Sequence, residues 1–206
     1  MVAVIRLPQY QQETQMGYSH SFFALDVDRL KGIFASNNEQ LLNEILTAQA
    51  EDIASNDAFF ANKIKAGDLP STATAIRQII EGNPRVDIQA ALYGYSLQII
   101  CRHMGEEVWG GEYGVANVSD HPYDSKLLKS GVPIPIPVPS DFPMIGYLSL
   151  NEIDDEIALA TAEHAKPSND SSEDIDAEEI QEDIDAYVET LQKAKDLGLG
   201  IVSFRH

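Results

Sequence analysis

The sequence predicts an α+β fold: a helix-rich single domain over residues 17–206 with a small sheet that includes an N-terminal and a C-terminal strand. Three observations carry this. Between Asp26 and Met104 apolar residues return at intervals of three and four, the spacing of amphipathic helices. Two short runs, Tyr18–Asp26 after Gly17 and Gly200–Phe204 near the C-terminus, are rich in aromatic and β-branched residues, as strands are. The whole chain of 206 residues is 44% hydrophobic and 23% charged, a globular mixture with enough length to bury a core.

Residues 1–16 carry Arg6, Pro8 and a Gln- and Glu-rich stretch, and are expected to form a weakly ordered extension. After the first strand, Asp26 or Asp28 caps a short helix through Leu30, Ile33 and Phe34, weakened by Gly32 and ended by Ser36-Asn37-Asn38. Asn38 opens a long periodic segment in which Leu41, Leu42, Ile45, Leu46, Ile53, Phe59 and Phe60 are expected to face inward, closed by Gly67–Pro70. Ser71 starts a shorter helix that Gly82 and Pro84 stop. In 88–104, Ile88, Ala91, Leu92, Tyr95, Ile99, Ile100 and Met104 leave little polar face, so this helix is expected to be central. Gly105–His121 is glycine-rich and reads as irregular.

Val132–Pro139 alternates Val-Pro-Ile-Pro-Ile-Pro-Val-Pro. Each proline removes an N–H and drives its predecessor toward extended backbone, so the run is expected to be a stiff edge segment with prolines on one side and aliphatics on the other. No pair of prolines within it has the i, i+3 spacing of a proline-recognition ligand.

Charge is concentrated. Of 33 acids, 15 lie between Asn151 and Glu189 against the single base Lys166, so this stretch carries −14 of the net −19. Residues 164–174 read as an acidic loop around His164. Downstream, Ile175, Ile180, Ile184, Tyr187, Val188 and Leu191 define an amphipathic helix, with Lys193 and Lys195 in its last turn and Gly198 as a stop. The acidic belt is either a solvated helix face with a connector or a surface complementary to a basic partner. It is no EF-hand, because residues 168–185 contain no glycine.

A charge of −19 opposes phosphate backbones and anionic lipid, which argues against nucleic-acid or membrane binding. No apolar run approaches the roughly 20 residues of a membrane span. Arg6 and Pro8 interrupt what a secretory signal needs, and Cys101 stands alone, so a reducing, cytoplasmic compartment is expected.

Motifs that carry chemistry are absent or broken. There is no G-x-x-x-x-G-K-[ST], no G-x-G-x-x-G and no H-E-x-x-H, so neither cofactor nor metal is implied. Gly94-Tyr95-Ser96 lacks the closing glycine of a nucleophile elbow and lies in a helical pattern. Cys101 and His103 point about 200° apart on a helix, so they share no ligand, and Cys101 falls on the face of Leu97, Ile100 and Met104 as a small core residue. A catalytic cluster assembled from polar residues draws on His103, Arg102, Tyr95 and His20, with Asp26 and His121 beside them. His20 and His206 become neighbours if the first and last strands pair.

From Gly17 onward the chain resembles a family of uncharacterised bacterial proteins. The resemblance is carried by Tyr18-Ser19 with Ala24-Leu25-Asp26-Val27-Asp28-Arg29-Leu30, by Tyr93-Gly94-Tyr95 with Ile100-Cys101-Arg102-His103, by Pro133–Pro139 with Asp141-Phe142-Pro143-Met144-Ile145-Gly146-Tyr147, and by the closing Gly198–His206. It implies a shared fold and supplies no catalytic residue, while drawing attention to Arg102, His103 and His206. The function expected is a non-enzymatic protein-binding domain, of the immunity or regulatory kind, that offers an acidic surface to a basic protein partner. The alternative is a small hydrolase or transferase with a motif-less pocket around His103 and Arg102.

Overall fold

A computed structural model describes residues 19–85, 90–109, 125–164 and 177–206. Its architecture is α+β, with one antiparallel sheet carrying helices on both faces. The strands are β1 (His20–Leu25), β2 (Glu106–Trp109), β3 (Met144–Leu148) and β4 (Gly200–Arg205), in the order β2-β1-β4-β3. The expected pairing of first and last strands is present: His20 lies opposite Arg205, Phe22 opposite Ser203 and Leu25 opposite Gly200. β4, buried from Gly200 to Phe204, is therefore central.

The helices follow their caps. Asp26 accepts the Arg29 N–H at 2.9 Å and starts α1 (Val27–Lys31), which ends at Gly32. Asn38 caps α2 (Glu39–Ala48) through the Leu41 N–H. The long periodic segment is not one helix: the chain turns at Gln49 and again at Phe60, giving α3 (Ala50–Phe59) and α4 (Ala61–Ala66). Neither junction has a side-chain cap, so periodicity alone concealed both. Ser71 caps α5 (Thr72–Glu81), and Gly82 closes it at φ +74°, a left-handed conformation open to glycine at little cost. The central helix, α6 (Ala90–Met104), buries Leu92, Tyr93, Leu97, Ile99, Ile100 and Cys101. After it come α7 (Lys126–Lys129), a short 3-10 turn (Leu150–Glu152) leading into α8 (Ile153–His164), and α9 (Ala177–Asp196).

Period-two alternation divides two cores across the sheet. Phe23, Leu25, Val202 and Phe204 face α1, α2, α5 and α6; Phe22, Ala24 and Ile201 face α7, α8 and α9. On the second side α7 lies directly against the sheet. Ser203 Oγ donates to the Leu127 carbonyl at 2.8 Å, and a Cβ at Gly146 would fall 1.4 Å from that same oxygen. Glycine at 146 is what allows the approach.

Several expectations are corrected. Residues 106–109 are a strand, where the glycine-rich stretch read as irregular; β2 pairs with β1 through a bulge near Phe22. Met144–Leu148 is an edge strand that no alternation announced. The proline run is not extended along a sheet edge: Ile136 N–H bonds to the Ile134 carbonyl at 2.8 Å in a tight turn, Pro133 is buried and Val138 is 65% exposed. Ile134 and Ile136 nonetheless lie across the first core. The outer edge of β3 is instead blunted by the chain after α7: Ser130 Oγ bonds both the Tyr147 N–H and the Tyr147 carbonyl, and the Gly131 N–H bonds the Ile145 carbonyl. His164 is the last residue of α8. The extension 1–16, His121 and most of the acidic loop lie outside the described residues.

The acidic belt is divided. Glu156 is buried and accepts from Ser125 Oγ at 2.5 Å, from Tyr187 OH at 2.8 Å and from the Lys126 N–H at 3.1 Å, which fastens the start of α7 to α8 and α9. Asp183 is buried as well. Glu152 is ion-paired with Lys126, and Asp154 with Lys195. Among the described residues, Asp155, Glu182, Asp185 and Glu189 are exposed carboxylates of the belt. Among the described residues no helix is long and apolar enough to cross a membrane.

Candidate functional site

On the first side of the sheet, α3 and α6 run past each other with a groove of about 270 Å³ between them. Each helix supplies four side chains at i, i+3, i+4 and i+7: Asp52, Ser55, Asn56 and Phe59 from α3, and Tyr95, Gln98, Ile99 and Arg102 from α6. That spacing lies along one face of a helix, so each wall is a single stripe. Seven residues of rise make the groove roughly 10 Å long.

Its two ends differ chemically. At one, Arg102 Nη1 meets Asp52 Oδ1 at 3.0 Å, and Arg102 Nε stands 3.9 Å from Glu107 Oε2 on β2. The same guanidinium lies 5.6 Å above the Phe23 ring, held over an aromatic face and between two carboxylates. At the other end Phe59 and Tyr95 stand 6.0 Å apart, with Phe60 in contact with both. Phe59 is 74% exposed, which corrects the expectation that it faces inward. The periodicity failed here because α3 has no buried residue at all. The helix is fastened by polar ties instead: Asn56 donates to Thr72 Oγ1 at 2.9 Å, and Asp57 accepts the Thr72 N–H at 2.7 Å.

Behind Tyr95, the His206 ring stacks at 5.4 Å and 15°. Its Nε2 lies 3.1 Å from Gln98 Nε2. The Gln98 amide nitrogen has only protons to offer, so His206 accepts there and carries its own proton on Nδ1. Burial, and secondarily the Arg102 charge, hold the His206 pKa below its ordinary value, in agreement with a neutral ring. Burial, then the nearby Asp141 charge, raise the Tyr95 hydroxyl above its ordinary range. Burial pushes the Cys101 thiol up steeply.

The residues singled out in the sequence are thus distributed. Tyr95 and Arg102 share the groove. His103, about 100° further round α6, is half-buried and does not line it. Asp26 is occupied as the cap of α1. His20 lies across from Arg205 in the pairing, stacks on Phe22 at 5.9 Å and faces the α7–α9 side, so the sheet separates it from His206. Strand pairing makes the two histidines neighbours in sequence register, and the pleat sends them to opposite faces. Sequence reasoning missed Phe59, Asp52 and Gln98 as wall residues. The signal was present in the matching i, i+3, i+4, i+7 stripes, but nothing local says that these two helices face one another.

The groove and its back wall place a cation, carboxylates, amides and rings together, and burial drives the Tyr95 hydroxyl toward its protonated form. Among the described residues no group of three or more His, Cys, Asp or Glu could hold a metal ion.

A family model described as a domain of unknown function (DUF7691) matches residues 16–206, and the chain belongs to that family. No curated protein and no solved structure matches the chain.

Proposed function

We propose that this member of the family is a non-enzymatic binding domain whose recognition site for a protein partner is the α3–α6 groove. The single observation behind the reading is Phe59: a large ring left 74% exposed at the mouth of a groove, in contact with Tyr95 and Phe60. Exposed aromatics at the rim of a concavity are what binding hot spots are built from. A volume of about 270 Å³ is below the usual range for small-molecule sites and accommodates one or two side chains of a partner. The net charge of −19 draws basic partners from solution and discriminates against acidic ones. The exposed carboxylates of α9 lie on the far side of the sheet and contribute to that field without touching the groove.

The alternative reading, a hydrolase or transferase around His103 and Arg102, is disfavoured because His103 does not reach the groove and Arg102 is engaged by Asp52 and Glu107. A random-peptide selection on the wild-type chain, counter-screened on Phe59→Ala, tests the proposal. Peptides should be enriched that bind the wild type and lose at least about tenfold in affinity on Phe59→Ala, the loss expected for one buried aromatic contact. Peptides that bind both forms equally would overturn it.

A further inference from the structure

Resting on that reading, we infer that the groove takes an arginine side chain of the partner, laid along α6 with its guanidinium against the exposed ring of Phe59. Charge comes first. Among the described residues, the carboxylates of Asp52 and Glu107 flank Arg102 at one end of the groove, and Asp141 is close enough to act on Tyr95 at the other. Arg102 offsets one of these three negative charges, so the four groups together carry two negative formal charges, with the Asp141 end lacking a cation among them, and they favour a further cation. Shape comes second. A stem of methylenes fits beside Ile99, and a groove roughly 10 Å long accommodates an extended arginine. Chemistry decides between the two basic side chains. Rings and amide oxygens suit a planar, weakly hydrated guanidinium that stacks and donates from a rigid fork, whereas an ammonium is a compact, strongly hydrated point charge. The molecule already holds one guanidinium in this manner, Arg102 over Phe23 between two carboxylates.

The test is fluorescence anisotropy with labelled acetyl-hexaarginine amide and acetyl-hexalysine amide, which carry equal charge, on the full chain at low salt. Hexaarginine is expected to bind at least about threefold tighter than hexalysine, as one exposed cation–π contact provides. Phe59→Ala, a change at an exposed position, should erase that ratio. The double variant Asp185→Asn/Glu189→Gln on α9 should weaken both peptides alike and keep it. An arginine-to-lysine ratio near one in the wild type, or a ratio that survives Phe59→Ala, overturns the inference. If library peptides require Phe59 yet contain no arginine, the groove remains the recognition site and only its occupant is wrong.

Discussion

Adding one methyl group at Gly146 probes how the sheet holds α7. The new Cβ would sit 1.4 Å from the Leu127 carbonyl oxygen and 2.4 Å from its carbon, so the helix must lift away. Lifting it breaks the Ser203–Leu127 hydrogen bond and leaves a buried hydroxyl short of its partner, a cost of about 1–3 kcal/mol. Leu127 and Leu128, now fully and nearly fully buried, would surrender part of the ~1.5–3 kcal/mol that each side chain contributes. Together Gly146→Ala should cost about 3–5 kcal/mol, a large share of the ~5–15 kcal/mol typical of a domain. Urea denaturation of wild type and variant measures this, and a fall of roughly 10 °C in Tm should accompany it. Gly131→Ala is the control: its φ is +87° but nothing lies within 4 Å, so only backbone strain of about 1 kcal/mol is at stake. A Gly146→Ala protein within about 0.5 kcal/mol of wild type would refute the close approach of α7 to β3.

Other outcomes follow from the same structure. Ser125→Ala removes the cap of α7 and one donor to buried Glu156, and should cost about 2–4 kcal/mol by chemical denaturation, whereas Ser130→Ala, at an exposed edge, should cost under about 1.5. Cys101 should resist a thiol reagent in the folded chain and react at once in denaturant, because burial keeps the thiol protonated and inaccessible; rapid native-state labelling would contradict its place in the core. His206 has a folded pKa below the unfolded value, so the unfolded chain binds the proton more tightly. Its contribution to stability is complete above about pH 6.5 and is lost as pH falls from there through the lower folded pKa. His206→Phe keeps a ring on Tyr95 and should flatten that part of the stability profile; an unchanged slope between pH 7 and 5 would show that His206 is not the group responsible.

Local chemistry was legible where it acts locally. The caps Asp26, Asn38 and Ser71 and the stop at Gly82 sit where side-chain and backbone preferences put them, and the central character of α6 follows from its nearly continuous apolar surface. The pairing of β1 with β4 was reachable because two strand-like runs stood at the two ends of the domain. What stayed hidden depends on partners far away in sequence. β3 becomes a strand by lying against β4, and Gly146 makes room for Leu127, nineteen residues upstream. The break of α2 from α3 at Gln49 has no cap signal, so an unbroken periodicity suggested one inward-facing helix and misplaced Phe59. Of the site, Tyr95 and Arg102 were found as polar residues on an apolar helix. The grouping with His20 and His103 failed because one is across the sheet and the other a hundred degrees round the helix. The acidic belt, read from composition as a solvated helix face or a partner surface, includes Glu156, a buried tie between α7, α8 and α9, and Asp183, which is buried as well.

The groove as recognition surface can be tested by following the backbone amide signals of the isotope-labelled chain while a selected peptide is added. Shifts should concentrate at Ser55, Asn56, Tyr95 and Gln98, with the amides of α9 from Asp185 to Leu191 left in place. Shifts confined to α9, with the α3 and α6 signals unmoved, would contradict it.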